Sequence, residues 1–335
     1  MNIENKKWVL KKRPVGHVKD SDFELVTEML PEIKDGEILL KNIYLSFDPT
    51  QRGWLNDEPG YLPPVQIDEV VRSGGIGRVL QSKNPEYKVG ELTFGLVGWQ
   101  THCLTKPEAE DRFRIIPELL PIPTMLNVMG STGITAYYGL IELGNPQPGE
   151  TVLVSGAAGA TGSVVVQIAK LKGCHVIGIA GGKEKCDWLK GVGADEVIDY
   201  KNSDIHQELS TVAKNGIDVY FDNVGGETLE TVLSLININA RILLCGGISS
   251  GYDGSPLPNG PKNLFSLIIK RATMQGFLVL DYLPNSDKAI GEIATWVMEG
   301  KIQHREDIQE GIENCPQTLN RLFKGENKGK QLLKI

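Results

Sequence analysis

The sequence reads as an α/β protein, a doubly wound parallel sheet preceded by a smaller β-rich, barrel-like unit. Three observations carry this. Residues 1–125 hold short β-leaning runs separated by Pro- and Gly-rich turns, the pattern of a compact unit of many short strands. From about residue 126, strand-like and helix-like segments alternate, which implies parallel strands covered by helices on both faces. Within that half, a β-branched run enters a glycine-rich turn and then a helix at 151–172, the local order of a phosphate-binding βα unit. A chain of 335 residues has room for two domains. The expected division sets 1–125 plus 302–335 against 126–301.

In chain order, the first unit is expected to hold strands at 37–46, 75–80 and 93–96, with turns at 58–64 and 98–100. The pattern changes at 117–125. Residues 151–154 form a strand, and a helix over 163–172 stops at Gly173. Strands follow at 175–180, 196–198, 217–222, 241–245 and 273–279, with helices at 183–190, 203–213 and 227–236. The chain end holds one helix pattern, 316–323, and a last strand, 330–335, expected to return to the first unit.

Composition excludes several classes. Hydrophobic residues at 41% and charged residues at 23% give globular rather than disordered character. A net charge of −7 argues against a bulk electrostatic nucleic-acid binder. The five cysteines (103, 174, 186, 245, 315) are odd in number and lack a C-x-x-C spacing. They form neither a disulfide framework nor a zinc knuckle, and a reducing compartment is expected. The basic N-terminus has no apolar core or cleavage site, so no signal peptide is evident. Two uncharged stretches, 119–141 and 151–169, are broken by Gly, Ser, Thr or Pro and do not read as membrane spans. A soluble cytoplasmic protein is the expectation.

The turn is Ser155-Gly156-Ala157-Ala158-Gly159-Ala160-Thr161-Gly162. Against G-x-G-x-x-G it aligns Ala157, Gly159 and Gly162, with Ala in the first position. The middle glycine lets the backbone approach a pyrophosphate, the last allows close helix–strand packing, and the helix N-terminus supplies N–H groups. In this context the turn reads as dinucleotide-binding; a structural βα turn is the alternative. NAD binders usually carry an acid at the next strand end, for the ribose 2′-hydroxyl. Here the segment is Ala180-Gly181-Gly182-Lys183-Glu184-Lys185. A missing carboxylate and added lysines favour NADP(H), although an exposed, mixed-charge helical turn would look the same.

Metal chemistry is disfavoured. His102 and Cys103 are adjacent and point differently, and the five histidines (17, 102, 175, 206, 304) are scattered. No tyrosine has a lysine four places on, so the short-chain dehydrogenase proton relay is also missing.

Several motifs now carry a resemblance. They include Tyr44-Leu45-Ser46-Phe47-Asp48-Pro49 with Arg52-Gly53, Asp57-Glu58-Pro59 with Tyr61, and Gly133-Ile134-Thr135-Ala136-Tyr137. Gln167-Ile168-Ala169-Lys170-Leu171-Lys172-Gly173-Cys174, Phe221-Asp222-Asn223-Val224-Gly225-Gly226, Cys245-Gly246 and Gly325-Glu326-Asn327 complete them. Over nearly its whole length the chain resembles the zinc-free medium-chain dehydrogenase/reductase superfamily. Within it, the NADPH-dependent enone reductases are most similar: the leukotriene hydroxydehydrogenase/prostaglandin reductases, the plant 2-alkenal reductases and the bacterial curcumin reductases. The last group matches best on the Asp-Glu-Pro-x-Tyr insert and Pro316-Gln317-Thr318.

The resemblance implies a Rossmann domain beside a GroES-like partial barrel, a homodimer, and specific roles. Gly159, Ala160, Thr161 and Gly162 would hold the pyrophosphate, and Lys185 and Tyr200 the 2′-phosphate end. Asn223 and Asn327 would contact the cofactor. Cys245, Gly246, Ile248 and Ser249, in the loop 245–252, would line the nicotinamide side, as would Phe277, Leu278 and Val279 on a strand. Thr50, Arg52, Tyr61 and Tyr252 would face substrate. The family's tyrosine after Asp-Pro is replaced here by Thr50, and Ser250-Gly251-Tyr252 carries an extra residue.

The implied reaction is conjugate reduction: hydride goes to the β-carbon of an α,β-unsaturated carbonyl, and charge builds on the carbonyl oxygen. That oxygen needs a hydrogen-bond donor. Tyr252, Tyr61 and the cofactor's ribose hydroxyl are candidates, since a tyrosine ordinarily titrates near about 10 and stays protonated at neutral pH. Tyr61 equally fits as a ring packed on Pro63-Pro64. A quinone reductase, a zinc-free alcohol dehydrogenase or a non-catalytic NADPH-binding protein would share the cofactor motifs.

Overall fold

The structure is a computed structural model that describes residues 3–107, 113–249, 251–252 and 259–335. The N-terminal part opens with a hairpin of β1 (Glu4–Leu10) and β2 (Phe23–Met29). It continues through β3 (Ile38–Phe47), the one-turn helix α1 (Thr50–Gly53), β4 (Gly75–Ser82), β5 (Leu92–Gly95), β6 (His102–Thr105) and β7 (Arg114–Ile116). Helices α2 (Ile122–Leu126) and α3 (Ser131–Tyr137) lead into the second part. There β8 (Thr151–Val154), α4 (Ala160–Leu171), β9 (His175–Ala180), α5 (Lys183–Gly191) and β10 (Glu196–Asp199) alternate. The alternation continues with α6 (Ile205–Val212), β11 (Ile217–Asp222), α7 (Gly226–Leu233), β12 (Ile236–Leu244), α8 (Phe265–Lys270), β13 (Thr273–Gly276) and α9 (Asp287–Met298). The chain ends with β14 (Glu306–Glu310), α10 (Cys315–Phe323) and β15 (Lys330–Lys334).

Strands β8 to β13 form one parallel sheet in the order β10-β9-β8-β11-β12-β13. Every side chain of β8 is buried. Val152 and Val154 pack with α4 and α9, while Leu153 packs with α6 and α7. Both faces are therefore covered, as the continuous apolar run requires. The strand order reverses between β8 and β11, the point at which such sheets open a ligand crevice beyond their carboxyl ends.

The other large sheet runs β14-β15-β3-β4-β5-β7, with β6 also on β3. Its core is built on fully buried Trp99, Phe47, Leu40 and Leu45. As expected, the last strand returns to this sheet: β15 pairs antiparallel with β3, Gln331 opposite Phe47.

Several boundaries differ from the sequence reading. The helix after the glycine turn begins at Ala160, three residues early, with Gly159 as its N-cap. Ile236 is not helical; α7 closes with Leu235 N–H on Val232 O, and Ile236 pairs with Ile217 in the sheet, where its side chain is buried. Phe277, Leu278 and Val279 do not lie on a strand. Pairing stops at Leu244 opposite Gly276, so the chain has no partner beyond and Val279 opens a 3-10 turn. Strand β14, not expected, pairs parallel with β15. Among the described residues no helix is long and apolar enough to cross a membrane.

Candidate active site

The crevice begins at the turn after β8. Gly156 takes φ +57°, so the position that must turn tightly is Gly156 rather than Ala157. Ala157 is buried, and its N–H donates to Ile179 O at 2.9 Å. A Cβ at Gly162 would sit 2.5 Å from Gly156 O, so only glycine permits this packing of α4 on the turn. No side chain caps α4. The N–H groups of Ala160, Thr161 and Gly162 therefore leave the helix without intrahelical partners and favour an anion.

The end of the chain lies against this turn. Gly159 and Gly329 form an isolated parallel bridge, and the Asn327 carboxamide donates to Gly329 O at 2.9 Å. Lys185 Nζ donates to Gly325 O at 2.9 Å. Tyr200 covers Gly181, where a Cβ would meet the ring at 2.7 Å, and its hydroxyl neighbours Gly325. The two lysines of the sequence reading part company. Lys183 pairs with Asp187 on the exposed helix surface, whereas Lys185 turns into the crevice. Burial, then the charge of Lys201, holds the Lys185 ammonium below the usual lysine range. Lys201 was missed in the sequence; its place beside Tyr200 is the signal that could have found it. Strand β9 ends in Ala180, followed by Gly181 and Gly182, with no carboxylate. The neighbouring Glu184 is engaged by Lys328 at 2.8 Å and Arg305 at 3.2 Å. These groups fit a dinucleotide with a phosphate at its ribose end.

The next turn, after β11, carries Asn223. Its N–H donates to Ser155 Oγ at 2.9 Å and its carboxamide to Ser155 O at 2.7 Å, which locks the two turns together. The loop after β12 is fixed in turn. The N–H groups of Cys245 and Gly246 donate to Asp222 O, Ile248 N–H to Asn223 O, and Ser249 to Val224 O through both its N–H and its hydroxyl. Ser250 lies outside the described residues. Phe277 packs edge-on against Phe221 with ring centroids 6.1 Å apart. Cys245, Gly246, Phe277 and Leu278 line a cavity of about 770 Å³.

Around α1 gather three of the four expected substrate residues. Tyr252 packs against Gly53, where a Cβ would lie 3.3 Å from the ring. The Tyr61 hydroxyl meets Thr50 Oγ1, and its ring stands edge-on to Trp54. Burial pushes the Tyr252 phenol up, and Tyr61 and Cys245 add to the shift. Arg52 does not join them. It is 1% exposed, and its guanidinium donates to Gly16 O, Pro14 O and Asn56 Oδ1. It anchors α1 to the 14–16 segment, because a buried guanidinium must satisfy its donors within the protein. Among the described residues no three His, Cys, Asp or Glu side chains come together as a metal site.

Comparison with known proteins agrees with this geometry. Residues 6–112 match the family described as the N-terminal domain of oxidoreductase, and residues 160–295 match the zinc-binding dehydrogenase family. The NADPH-dependent curcumin reductase of Escherichia coli is 40% identical, covering 99% of this chain and 97% of that protein. The chain belongs to the medium-chain dehydrogenase/reductase superfamily. Within it, rabbit (Oryctolagus cuniculus) prostaglandin reductase 1 is 41% identical, over 98% of this chain and 93% of its own. The crystal structure of CurA in complex with NADPH from Vibrio vulnificus superposes with a TM-score of 0.92 at 42% identity, covering 98% of each chain. An Escherichia coli quinone oxidoreductase complexed with NADPH shares the fold, with a TM-score of 0.78, at only 20% identity.

Proposed function

We propose that this medium-chain reductase uses NADPH to reduce the C=C bond of α,β-unsaturated ketones and aldehydes, of the enone, alkenal and curcumin type, without zinc. The observation that carries the reading is the full-length likeness, at about two residues in five, to the curcumin and prostaglandin reductases. It is supported by an uncapped helix N-terminus after the glycine turn, by a half-buried lysine that reaches the C-terminal segment beside that turn, and by a phenol raised by burial at Tyr252.

In this reading the turn from Gly159 to Gly162 holds the pyrophosphate, through the N–H groups of Ala160, Thr161 and Gly162 and the close approach that Gly159 permits, and Lys185 and Tyr200 hold the 2′-phosphate. Asn327 and Asn223 close on the cofactor from the two neighbouring segments. Cys245, Gly246, Ile248, Ser249, Phe277, Leu278 and Val279 wall the nicotinamide side. When bound, NADPH supplies the hydride that adds to the β-carbon of the enone. Tyr252 keeps its proton at neutral pH because burial raises its phenol, so it can donate a hydrogen bond to the carbonyl oxygen as charge builds there. Tyr61, with its hydroxyl on Thr50, stands beside it as the second donor. Arg52 acts at a distance, by holding α1.

The division of the chain into 1–125 plus 302–335 and 126–301 belongs to the same proposal. It is supported by the return of β15 to β3. A homodimer is supported by β13, which among the described residues pairs on one side only, and by exposed Phe265, Ile268 and Ile269 on α8. A cytoplasmic location is supported by five free cysteines.

The test is NADPH oxidation with enones, enals and quinones under identical conditions, with product mass. Enone and enal products heavier by two hydrogens at the C=C bond support the proposal. Allylic alcohol products, or turnover of quinones alone, contradict it.

A further inference from the structure

Asp222 ends β11 at the floor of the crevice and is fully buried. Four donors converge on its Oδ1: Ser155 Oγ at 2.8 Å, Tyr220 Oη at 2.7 Å, and the N–H groups of Val224 and Gly225, both at 2.9 Å. None of them is a cation. Its Oδ2 is buried and has no hydrogen-bond partner among the described residues. A carboxylate arranged this way is costly unless it serves something, because the charge left on the second oxygen is neither solvated nor paired.

The residue also borders the cavity that Cys245, Gly246, Phe277 and Leu278 share. Its negative charge reaches two neighbours, buried Tyr220 and half-buried Cys245. After burial itself, it is the next cause that raises the Tyr220 phenol and the Cys245 thiol. A charge set within protein is attenuated less than one in bulk water, so its field is larger at a given distance.

We propose that Asp222 is a specificity-determining residue for the redox state of the cofactor: its unpaired oxygen favours the cationic nicotinamide of NADP⁺ over the neutral ring of NADPH. Bound NADPH is thereby a stronger hydride donor than free NADPH, which suits a reductase. This rests on the reading that NADP(H) occupies the crevice with its nicotinamide beside Cys245 and Phe277. A purely structural role, fastening the turns after β8 and β11, would weaken both forms of the cofactor alike.

The test is tryptophan-fluorescence titration with NADPH and with NADP⁺ separately, on the wild type, Asp222→Asn and Tyr220→Phe, each checked for folding by thermal melting. Asparagine keeps an acceptor for the four donors and removes the charge. The ratio Kd(NADP⁺)/Kd(NADPH) is expected to rise about tenfold in Asp222→Asn. Tyr220→Phe removes one donor and leaves the charge less compensated, so the ratio should fall about twofold to threefold. An unchanged ratio in a folded Asp222→Asn variant overturns the proposal even if both affinities drop. Should that variant not fold, Tyr220→Phe decides: a fall supports the proposal, and no change or a rise overturns it. If the wild type binds neither form, the NADP(H) reading itself fails, which is a separate outcome.

Discussion

Gly159 and Gly329, 170 positions apart, lie side by side as an isolated parallel bridge. The chain end thus lies against the glycine turn after β8, and the next residue, buried Lys330, pairs with Asp48 just before α1. The glycine turn after β8 and the start of α1, the proposed cofactor and substrate sides, are joined through two consecutive residues. Gly329 takes φ +78°, and a Cβ there would run into the Arg305 carbonyl oxygen. Gly329→Ala is expected to cost about 2 kcal/mol or more, and to weaken NADPH binding in the same variant. Urea denaturation and a cofactor titration check both. Wild-type values for each would detach the C-terminal segment from the site.

Lys185→Ala is expected to weaken NADPH by roughly tenfold to a hundredfold, while NADH changes little, since only NADPH carries the phosphate that a charged hydrogen bond would reward. The pH dependence has a definite sign. Burial and Lys201 lower the Lys185 pKa below 10.5. The charged form binds phosphate, so the preference for NADPH is present at neutral pH and fades as pH rises through that lowered value. Parallel NADPH and NADH titrations up to about pH 10 measure it. Equal losses for both cofactors in the variant would remove the phosphate assignment.

Much of this site was legible from local pattern. The run from Thr151 through Gly162 declares itself because strand, turn and helix signals are contiguous. The burial of Arg52 was not legible, because Pro14 and Gly16, which accept from its guanidinium, lie far upstream, and nothing local marks a guanidinium as buried. Asp222 was read only as the end of the strand at 217–222 and part of a family motif: Ser155 lies 67 positions away, and an oxygen with no hydrogen-bond partner among the described residues leaves no mark in the sequence. Strand β14, Glu-Asp-Ile-Gln-Glu, was missed because a charged edge strand has no strong β signature, and its partner β15 arrives only at the chain end.

Tyr252→Phe is expected to lower kcat by about a hundredfold with little change in the KM for NADPH, because it removes a donor to charge that develops in the transition state. Tyr61→Phe should cost about tenfold, and Thr50→Ala less, since Thr50 only orients the Tyr61 hydroxyl. Steady-state kinetics with a saturating enone checks the order. Full activity in the Tyr252 variant would pass the role to another donor.

Cys245 lines the cavity through which an electrophilic enone would pass, yet its thiol is pushed up to about 12 by burial and then by Asp222. At neutral pH roughly one molecule in 10⁵ carries the thiolate, the form that adds to Michael acceptors. Hours of incubation with excess enone, without NADPH, should leave Cys245 unmodified by peptide mass mapping. Stoichiometric modification of the folded protein would show a reactive thiol there.

The most direct test follows the hydride. With NADPH deuterated at the transferring position of C4, an enone substrate and ordinary water, the product should carry one deuterium on the former β-carbon and a solvent proton on the α-carbon, read by NMR. Deuterium on the carbonyl carbon, or none in the product, would contradict conjugate reduction.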